Sequence, residues 1–403
     1  MDEIMGEMSL EDKPGTSSGN VVLSAEIKKK YSWDINREMY HRELNLTNRI
    51  GWRGAHTSAE GFNQAFYGSR QAVEQLTELF RHDKRGTCLN FNRVGDLLCS
   101  GCHVGEIVVW DWVNQKRLHR HIPGPYGRIK GIKFLDSTAG LDIVCASEGN
   151  QVHRSVIPPS GGAVKSELLY THDNVAQLIV VPHSRYEVLT CGSHLKHFDI
   201  RTHVSTTLLR CTNETEERHL PIFSIAHHPY APEISIAGSD DVLRVYDKRN
   251  TSIFLAQKSP FRAGDVPFTW ISSVAYNHSG SEILVGYSHA DIYLFNSRDL
   301  NADYLHRYQG RWNHSAGTAQ FFGPKSEFVM SANYGVYIMF WDRNTEEMIK
   351  KTISKPISWI HALEPHPWMP VLASAEAEHA IKIWAPQGGT DNGLAPVPKP
   401  SLI

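Results

Sequence analysis

The residues best suited to chemistry are two arginines that end the same short motif. Phe198-Asp199-Ile200-Arg201 and Tyr246-Asp247-Lys248-Arg249 both read aromatic, Asp, any residue, Arg, and Phe295-Asn296-Ser297-Arg298 is a near match. An arginine just past a strand offers a planar fork of N–H donors that fits carboxylate or carbonyl groups of another protein. The motif therefore indicates recognition of a partner, and the alternative interpretation is an ion pair within the chain.

No combination of residues indicates catalysis. Gly15-Thr16-Ser17-Ser18-Gly19 matches the nucleophile-elbow pattern, but this polar stretch has neither the strand nor the helix that the elbow requires. Cys99-Ser100-Gly101-Cys102 is a single C-x-x-C pair, and a zinc site needs a second pair at suitable spacing. His227-His228-Pro229 and His366-Pro367 occupy the same turn of a repeat, which favours a structural role. We expect no enzyme, no cofactor and no metal site.

Composition limits the classes of partner. The formal net charge is −2, from 41 basic and 43 acidic residues, which does not favour direct binding of nucleic acid. No stretch approaches the 18 or so apolar residues of a membrane-spanning helix, and the first residues lack a secretory pattern. Six cysteines suit a reducing compartment. The sequence predicts a soluble protein of the cytoplasm, the nucleus or both.

One pattern repeats seven times between Gly86 and Pro386. Each copy has alternating apolar residues, a triplet of small residues, a polar turn and a strand that usually ends in an aromatic residue. The copies end at intervals of 42 to 49 residues, and this period with four short strands per copy is typical of a β-propeller. We predict an all-β, seven-bladed WD-repeat propeller, and the copy ends are Trp110, Val156, Phe198, Tyr246, Phe295, Trp341 and Trp384.

The rest of the chain divides by composition. Residues 1–30 are predicted to be a disordered leader, 31–81 an N-terminal extension, 82–386 the propeller and 387–403 a disordered tail. Within the extension, Thr57-Ser58-Ala59-Glu60 resembles a capping box, and Phe62 and Phe66 follow on one helical face. We expect a helix over 58–70 and a ring-closing strand over 75–81.

The aromatic–Asp–x–Arg repeats resemble the motif by which some WD-repeat proteins dock on the adaptor of cullin-4 RING ubiquitin ligases. Further stretches are similar to the DDB- and cullin-associated factors over roughly 60–390. They are Val108–Val113, Val245–Arg249, Asp291–Ser297, Phe322–Val329, Leu363–Pro367 and Ile381–Pro386. Two departures stand out, since the second repeat lacks its terminal aromatic at Ser155-Val156 and the first and sixth repeats lack the arginine.

The resemblance implies a non-catalytic substrate receptor. The adaptor, of the damage-specific DNA-binding protein type, would contact Arg201 and Arg249 and would receive the helix that carries Phe62 and Phe66. That helix could instead pack on its own propeller. The opposite face would bind an unknown protein substrate through turns that contain His103, Glu148, His194, Asp240, Asp241, His289, Tyr334 and Glu378. The alternatives are a scaffold of another intracellular complex and a propeller hydrolase, which would need a central carboxylate or metal cluster.

Overall fold

The computed structural model describes thirteen parts of the chain, all within the compact unit Ser58–Ile403. They are 70–74, 76–82, 86–124, 127–135, 141–158, 163–212, 219–261, 269–310, 318–332, 337–353, 359–367, 369–376 and 381–386. The predicted leader and tail, most of the predicted helix over 58–70, and the candidate residues Phe62, Phe66, Tyr334 and Glu378 lie outside these ranges. No helix in the described part is long and apolar enough to cross a membrane.

Seven four-stranded antiparallel sheets form the blades of a propeller, which confirms the predicted fold class. The first four blades are β2–β5 (Cys88–Phe91, Leu97–Gly101, Ile107–Asp111, Lys116–His121), β6–β9 (Ile129–Leu135, Leu141–Ser147, Gln151–Ile157, Lys165–Thr171), β10–β13 (Gln177–Val180, Glu187–Cys191, Leu195–Asp199, Val204–Leu209) and β16–β19 (Ile222–His227, Glu233–Gly238, Leu243–Asp247, Asn250–Lys258). A two-stranded hairpin, β14–β15 (Cys211–Thr212, His219–Leu220), joins blades 3 and 4.

The remaining blades follow the same order. Blade 5 is β20–β23 (Ile271–Tyr276, Glu282–Tyr287, Ile292–Asn296, His306–Tyr308), and blade 6 is β24–β27 (Ala319–Phe322, Phe328–Ala332, Tyr337–Asp342, Met348–Ile353). Blade 7 combines β28–β30 (Ile360–Pro365, Leu372–Glu376, Ile381–Pro386) with β1 (Leu76–His82). One short helix, α1 (Arg70–Glu74), precedes β1.

Burial is greatest in the middle strands of a blade and falls at its outer, fourth strand. In blade 1 the third strand, β4, has four consecutive buried residues, whereas the fourth, β5, reads Lys-Arg-Leu-His-Arg-His and is largely exposed. Middle strands are apolar on both faces because each face packs against a neighbouring blade. The core is accordingly divided into clusters between blades: one joins Leu98 of blade 1 to Ile383 of blade 7, and another joins Val109 to Ile143 of blade 2.

The ring closes through β1, which pairs antiparallel with β30 from Leu76↔Pro386 to His82↔Ile381. Leu76 is 1% exposed and belongs to the cluster between blades 6 and 7. The Arg70 guanidinium binds Glu347 of blade 6 at 2.7 Å, and Lys350 Nζ donates to the carbonyl oxygens of Glu74 and Leu76. The seventh blade therefore combines strands from the two ends of the repeat region.

Polar side chains also connect the first strands of successive blades. The N–H of Phe134 donates to Asn90 Oδ1 at 2.9 Å, and the N–H of Ile225 donates to Gln177 Oε1 at 2.8 Å. The N–H groups of Val274 and Ala319 likewise donate to the hydroxyls of Ser224 and Ser273. Each of these side chains accepts a backbone bond from the next blade, so the wall of the central channel is held by hydrogen bonds as well as by pairing within the sheets.

Two histidines lock neighbouring turns together. His366 Nε2 lies 2.8 Å from the carbonyl oxygen of Gly95, and a Cβ added to Gly95 would come within 2.3 Å of this imidazole. His228 covers Gly280 in the same way, at 2.0 Å from such a Cβ. Both glycines have positive φ, 86° and 76°, so they are required for conformation as well as for space.

Blade 2 is complete although its sequence is irregular. In blade 2, Asp142 pairs with Val156 and Val144 pairs with Arg154. In blade 1, Leu98 pairs with Trp110, so Arg154 stands opposite the second strand of its blade as Trp110 does. Arg154 Nη2 binds the buried Asp142 carboxylate at 2.6 Å, and Nη1 binds Glu167 at 3.2 Å. A hydrogen-bonded ion pair thus fills the position of the missing aromatic residue.

The antiparallel order gives the propeller two faces. What we call the first face carries the turns that join the first strand to the second and the third to the fourth in each blade. The second face carries the turns that join the second strand to the third and the loops that link the blades. The candidate residues fall on these two faces according to the turn that contains them.

Candidate functional site

Arg201 and Arg249 occupy equivalent turns of adjacent blades on the first face. Arg201 follows β12 in blade 3, and Arg249 follows β18 in blade 4. Arg201 Nη2 lies 2.8 Å from Asp199 Oδ2, and Arg249 Nη2 lies 2.7 Å from Asp247 Oδ2. The two side chains nevertheless remain 60% and 73% exposed. Each arginine is therefore ion-paired with its own aspartate, as the alternative interpretation of the motif expected, and its side chain is still exposed. Recognition of a partner by these arginines stays a prediction.

The ion pairs change the acidity of the two carboxyl groups. Hydrogen bonds from Arg201 lower the pKa of Asp199 to about 2, and Arg249 lowers the pKa of Asp247 to about 2 in the same way. Each carboxylate also accepts the backbone N–H of its own arginine at 2.9 Å. At neutral pH both aspartates are ionised and hold the guanidinium groups in a defined direction.

The near match in blade 5 differs in its side-chain contacts. Asn296 Oδ1 accepts the backbone N–H of Arg298 at 3.0 Å, so the turn is the same. Since asparagine is neutral, it does not orient the guanidinium by charge, and the described residues give Arg298 no side-chain ion pair. Among these three turns, those of blades 3 and 4 thus carry an arginine that is ion-paired with the aspartate of its own motif.

Two exposed tyrosines of the first face were not identified from the sequence. Tyr186 lies under the Arg201 guanidinium, with the Arg201 Cζ 5.1 Å from the ring centroid. Tyr230 is 73% exposed and stacks on His183 at 6.0 Å between ring centroids. The Nδ1 atom of His228 accepts the N–H of Tyr230 and so fixes its turn. Arginine and tyrosine are common at the energetic centre of interfaces, and the only sequence signal for Tyr230 is its place after His228-Pro229.

The structure places the described substrate-binding candidates on the second face, with very different exposure. His103 and Glu148 are exposed, whereas His194 is buried, with its ring centroid 4.4 Å from that of His172. The other three side chains are engaged within the protein. Asp240 binds Arg244 at 2.6 Å, Asp241 accepts a hydrogen bond from Ser259 at 2.6 Å, and His289 packs edge-on against Trp270.

A central channel of about 1430 Å³ runs through the ring and is lined by the first strands of the blades. Among the described residues two carboxylates line it, and both are ion-paired: Asp142 with Arg154, and Glu364 with Lys133 at 3.5 Å. Among the described residues, no group of three or more His, Cys, Asp or Glu side chains could hold a metal ion. Burial also raises the pKa of Cys99, in the C-x-x-C pair, well above its usual value, so its thiolate form is disfavoured.

Part of the chain is similar in sequence to several known proteins. No protein-family model matches the sequence. Over 258 residues, 59% of this chain, the sequence is 25% identical to human DDB1- and CUL4-associated factor 6 and 24% identical to the mouse protein of the same name. The chain spans only about 30% of the length of these relatives. A 92-residue stretch, 22% of the chain, is 25% identical to human WD and tetratricopeptide repeats protein 1.

Among solved structures, the β-propeller domain of Cps50 (Swd1) from Myceliophteria thermophila superposes with a TM-score of 0.65. The match covers 77% of this chain and 99% of that domain at 18% sequence identity, so it supports the fold alone. Together, the comparisons support a WD-repeat propeller that is similar, over 59% of the chain, to two proteins named DDB1- and CUL4-associated factor 6.

Proposed function

We propose that this protein is a non-catalytic substrate receptor of a cullin-4 RING ubiquitin ligase. The ligase adaptor binds the first face through Arg201 and Arg249, and the second face presents a target protein for ubiquitination. The observation that carries the proposal is the pair of exposed, aspartate-oriented arginines in equivalent turns of blades 3 and 4. The relatives named DDB1- and CUL4-associated factor 6 supply the class of partner.

The geometry suits such an interface. In Arg201, the donors on Nε and Nη2 are directed at Asp199, which leaves the Nη1 hydrogens for a partner. Arg249 uses the same two nitrogens for Asp247. Because the aspartates hold both guanidinium groups in place, less side-chain entropy is lost when a partner binds. Carboxylates or carbonyl groups of the adaptor are the complementary acceptors.

We also propose a closer relation, to member eight of this family of factors. It rests on Phe322-Gly323-Pro324-Lys325-Ser326-Glu327-Phe328-Val329, which is more specific than a general WD pattern. In the structure this stretch forms a constrained turn: Gly323 has a φ of 101°, and Glu327 Oε2 accepts the N–H of Lys325 at 2.9 Å. The proposed place of action is the cytoplasm, the nucleus or both.

Replacing both arginines tests the proposal. We expect Arg201→Ala plus Arg249→Ala to reduce adaptor binding at least about tenfold, because arginine is enriched among the interface residues whose truncation costs about 2 kcal/mol or more. The measurement is the dissociation constant for purified adaptor. The matched control is Lys116→Ala plus Arg117→Ala, which removes two exposed cations from the outer strand of blade 1. Unchanged adaptor affinity in the folded arginine variant would reject this interface, and no adaptor binding by the wild type would favour a scaffold of another complex.

Deleting residues 57–69 tests the predicted adaptor-binding helix with Phe62 and Phe66. The deletion keeps α1 and the closing strand β1, so we expect weaker adaptor binding with an unchanged urea midpoint. A helix that inserts apolar residues spaced i and i+4 into a groove loses most of its contacts when it is removed. If the midpoint falls and adaptor affinity per folded molecule does not, the segment packs on the propeller. Comparing protein abundance in cells with and without this receptor would then identify the target.

A further inference from the structure

Four first strands share an irregularity at their second-face end. In blades 2, 4, 5 and 7 the pairing with the second strand skips one residue: between Ile129 and Gly131, Ile222 and Ser224, Ile271 and Ser273, and Ile360 and Ala362. Such a bulge bends the strand and redirects the extra side chain. The skipped residues all line the central channel, and they are Lys130, Phe223, Ser272 and His361.

The blade 2 side of this channel mouth carries two cations that have no counter-charge among the described residues. Arg128 and Lys130 both line the channel and are partly buried. Within the described residues, neither side chain forms an ion pair or a hydrogen bond. The N–H of Glu148 donates to the carbonyl oxygen of Arg128 at 2.7 Å, but the Glu148 side chain is exposed and makes no ion pair with this arginine.

The channel carboxylates cannot neutralise these cations without losing existing contacts. Asp142 accepts three hydrogen bonds from Arg154, and Glu364 Oε1 accepts one from Asn90 at 2.7 Å beside its contact with Lys133. Two like charges in a concave wall reinforce each other's field, because the surrounding protein screens them less than bulk water does. The mouth on the second face therefore attracts anions.

The neighbours of the two cations add contacts for a bound side chain. His361 is close enough to Arg128 for the arginine's charge to act with burial in lowering its pKa, so the imidazole is neutral at pH 7 and can donate or accept a hydrogen bond. Phe223 is 37% exposed and offers an apolar surface at the same level. The permanent charge of the mouth is thus contributed by Arg128 and Lys130.

We propose that this channel mouth binds a phosphorylated side chain of the target protein. The assignment of the phosphorylated protein as a ubiquitination target rests on the proposed function, whereas the anion site itself does not. Phosphate carries about −1.5 to −2 charges at pH 7, which matches the two cations of the mouth. A single carboxylate would leave one cation without a counter-charge. Arginine also binds phosphate through two parallel hydrogen bonds, which lysine complements as a point charge.

Peptide binding by the full chain tests the site without any adaptor. The probes are three immobilised degenerate peptide libraries that share flanking positions and differ in one fixed residue: phosphoserine, glutamate or serine. We expect the wild type to be retained on the phosphoserine library at least about tenfold more than on the serine library, with the glutamate library in between. Free phenyl phosphate should compete, and retention should weaken with salt.

Paired variants locate the binding. Arg128→Gln plus Lys130→Gln should lower retention on phosphoserine to the serine level, and Lys116→Gln plus Arg117→Gln should leave it unchanged. Equal wild-type retention on the serine and phosphoserine libraries, or a phosphoserine preference that survives the mouth substitutions, would overturn the proposal. Equal retention on the glutamate and phosphoserine libraries would show that the site does not require a phosphate group. Adaptor affinity is measured separately, so the two proposals can fail independently. Adaptor binding without a preference for phosphoserine would reject only the phosphate site. A preference for phosphoserine without adaptor binding would reject only the receptor function.

Discussion

The aspartates of the repeat motif close the same turn in four blades. Asp111, Asp199, Asp247 and Asp342 each accept a backbone N–H two or three residues further along. In blades 1 and 6 the arginine is absent and the turn still forms. Aspartate therefore has a structural role throughout, and the arginine in blades 3 and 4 is an addition that the turn does not need. This separation of roles is what makes Arg201 and Arg249 suitable for substitution.

The acidity of Asp199 should report directly on its arginine. In the wild type we expect its carboxyl to titrate near pH 2, as followed by carboxyl-carbon NMR shifts. Arg201→Gln should raise this pKa toward the ordinary value, because the favourable charge and most of the hydrogen bonds to the ionised form are removed. Asp247 in the same variant is the internal control and should stay near 2. A wild-type midpoint near 4 for Asp199 would contradict the observed pairing.

The motif arginines stand out in the sequence by their repeated pattern, whereas the second-face candidates could not be ranked from it. Exposure of a turn residue depends on neighbours from other blades or from distant strands. His194 lies beside His172, 22 positions earlier, and Asp241 accepts a hydrogen bond from Ser259 beyond β18 and β19. Lys130 and Phe223 were missed because a bulge, which has no clear residue signature here, directs them into the channel mouth.

The repeat period predicted the strands and the turns that join them. It did not predict the side-chain contacts between blades or the ion pair in blade 2. The two His-Pro turns were correctly given a structural role in their blades. Their contacts could not be foreseen, since His366 meets Gly95 of blade 1 across the closing seam of the ring. Blade 2 shows the same limit, because the Arg154–Asp142 ion pair replaces an aromatic residue that the pattern required.

Gly95→Ala should therefore destabilise the propeller strongly. Alanine would be strained at a φ of 86°, and its Cβ would lie 2.3 Å from the His366 ring. We expect a loss of about 2–4 kcal/mol, combining backbone strain of about 1–3 kcal/mol with the forced movement of the ring. Urea unfolding of the wild type and the variant measures this loss in the free energy of unfolding.

Two companions make this result interpretable. Adding His366→Ala to Gly95→Ala should recover only the part of the stability loss that comes from the clash with the His366 ring, because the backbone strain remains. Gly149→Ala is the matched control, since the nearest atom to its added Cβ is 3.7 Å away and its φ is not positive. If Gly95→Ala and Gly149→Ala have equal midpoints, the seam contact is not important for stability.

For the whole molecule, buried histidines predict sensitivity to acid. Burial lowers the pKa of His121, His172 and His366 to about 4, against about 6.5 when they are exposed. Between these values the unfolded chain binds protons that the folded chain excludes, so the free energy of unfolding decreases as the pH falls from 7 toward 4. At pH 5 each histidine removes up to about 2 kcal/mol.

Urea midpoints at pH 7.5 and pH 5 check this prediction. His121→Leu should lose less stability on acidification, because it removes one of the three histidines whose pKa is lowered. The substitution breaks no hydrogen bond among the described residues, since neither ring nitrogen of His121 has a partner there. His203→Gln, at an exposed turn, is the control and should behave like the wild type. Equal midpoints at both pH values would show that these imidazoles accept protons in the folded state.

The pairing of β1 with β30 has a consequence for biosynthesis. Leu76 leaves the ribosome long before its partner Pro386, and at roughly 5–20 residues per second the delay is about 15–60 seconds. Throughout that time the nascent chain carries an unpaired strand whose partner has not yet been translated. A premature stop codon anywhere before blade 7 would leave this strand permanently without its partner, so truncated products should be held by chaperones or degraded.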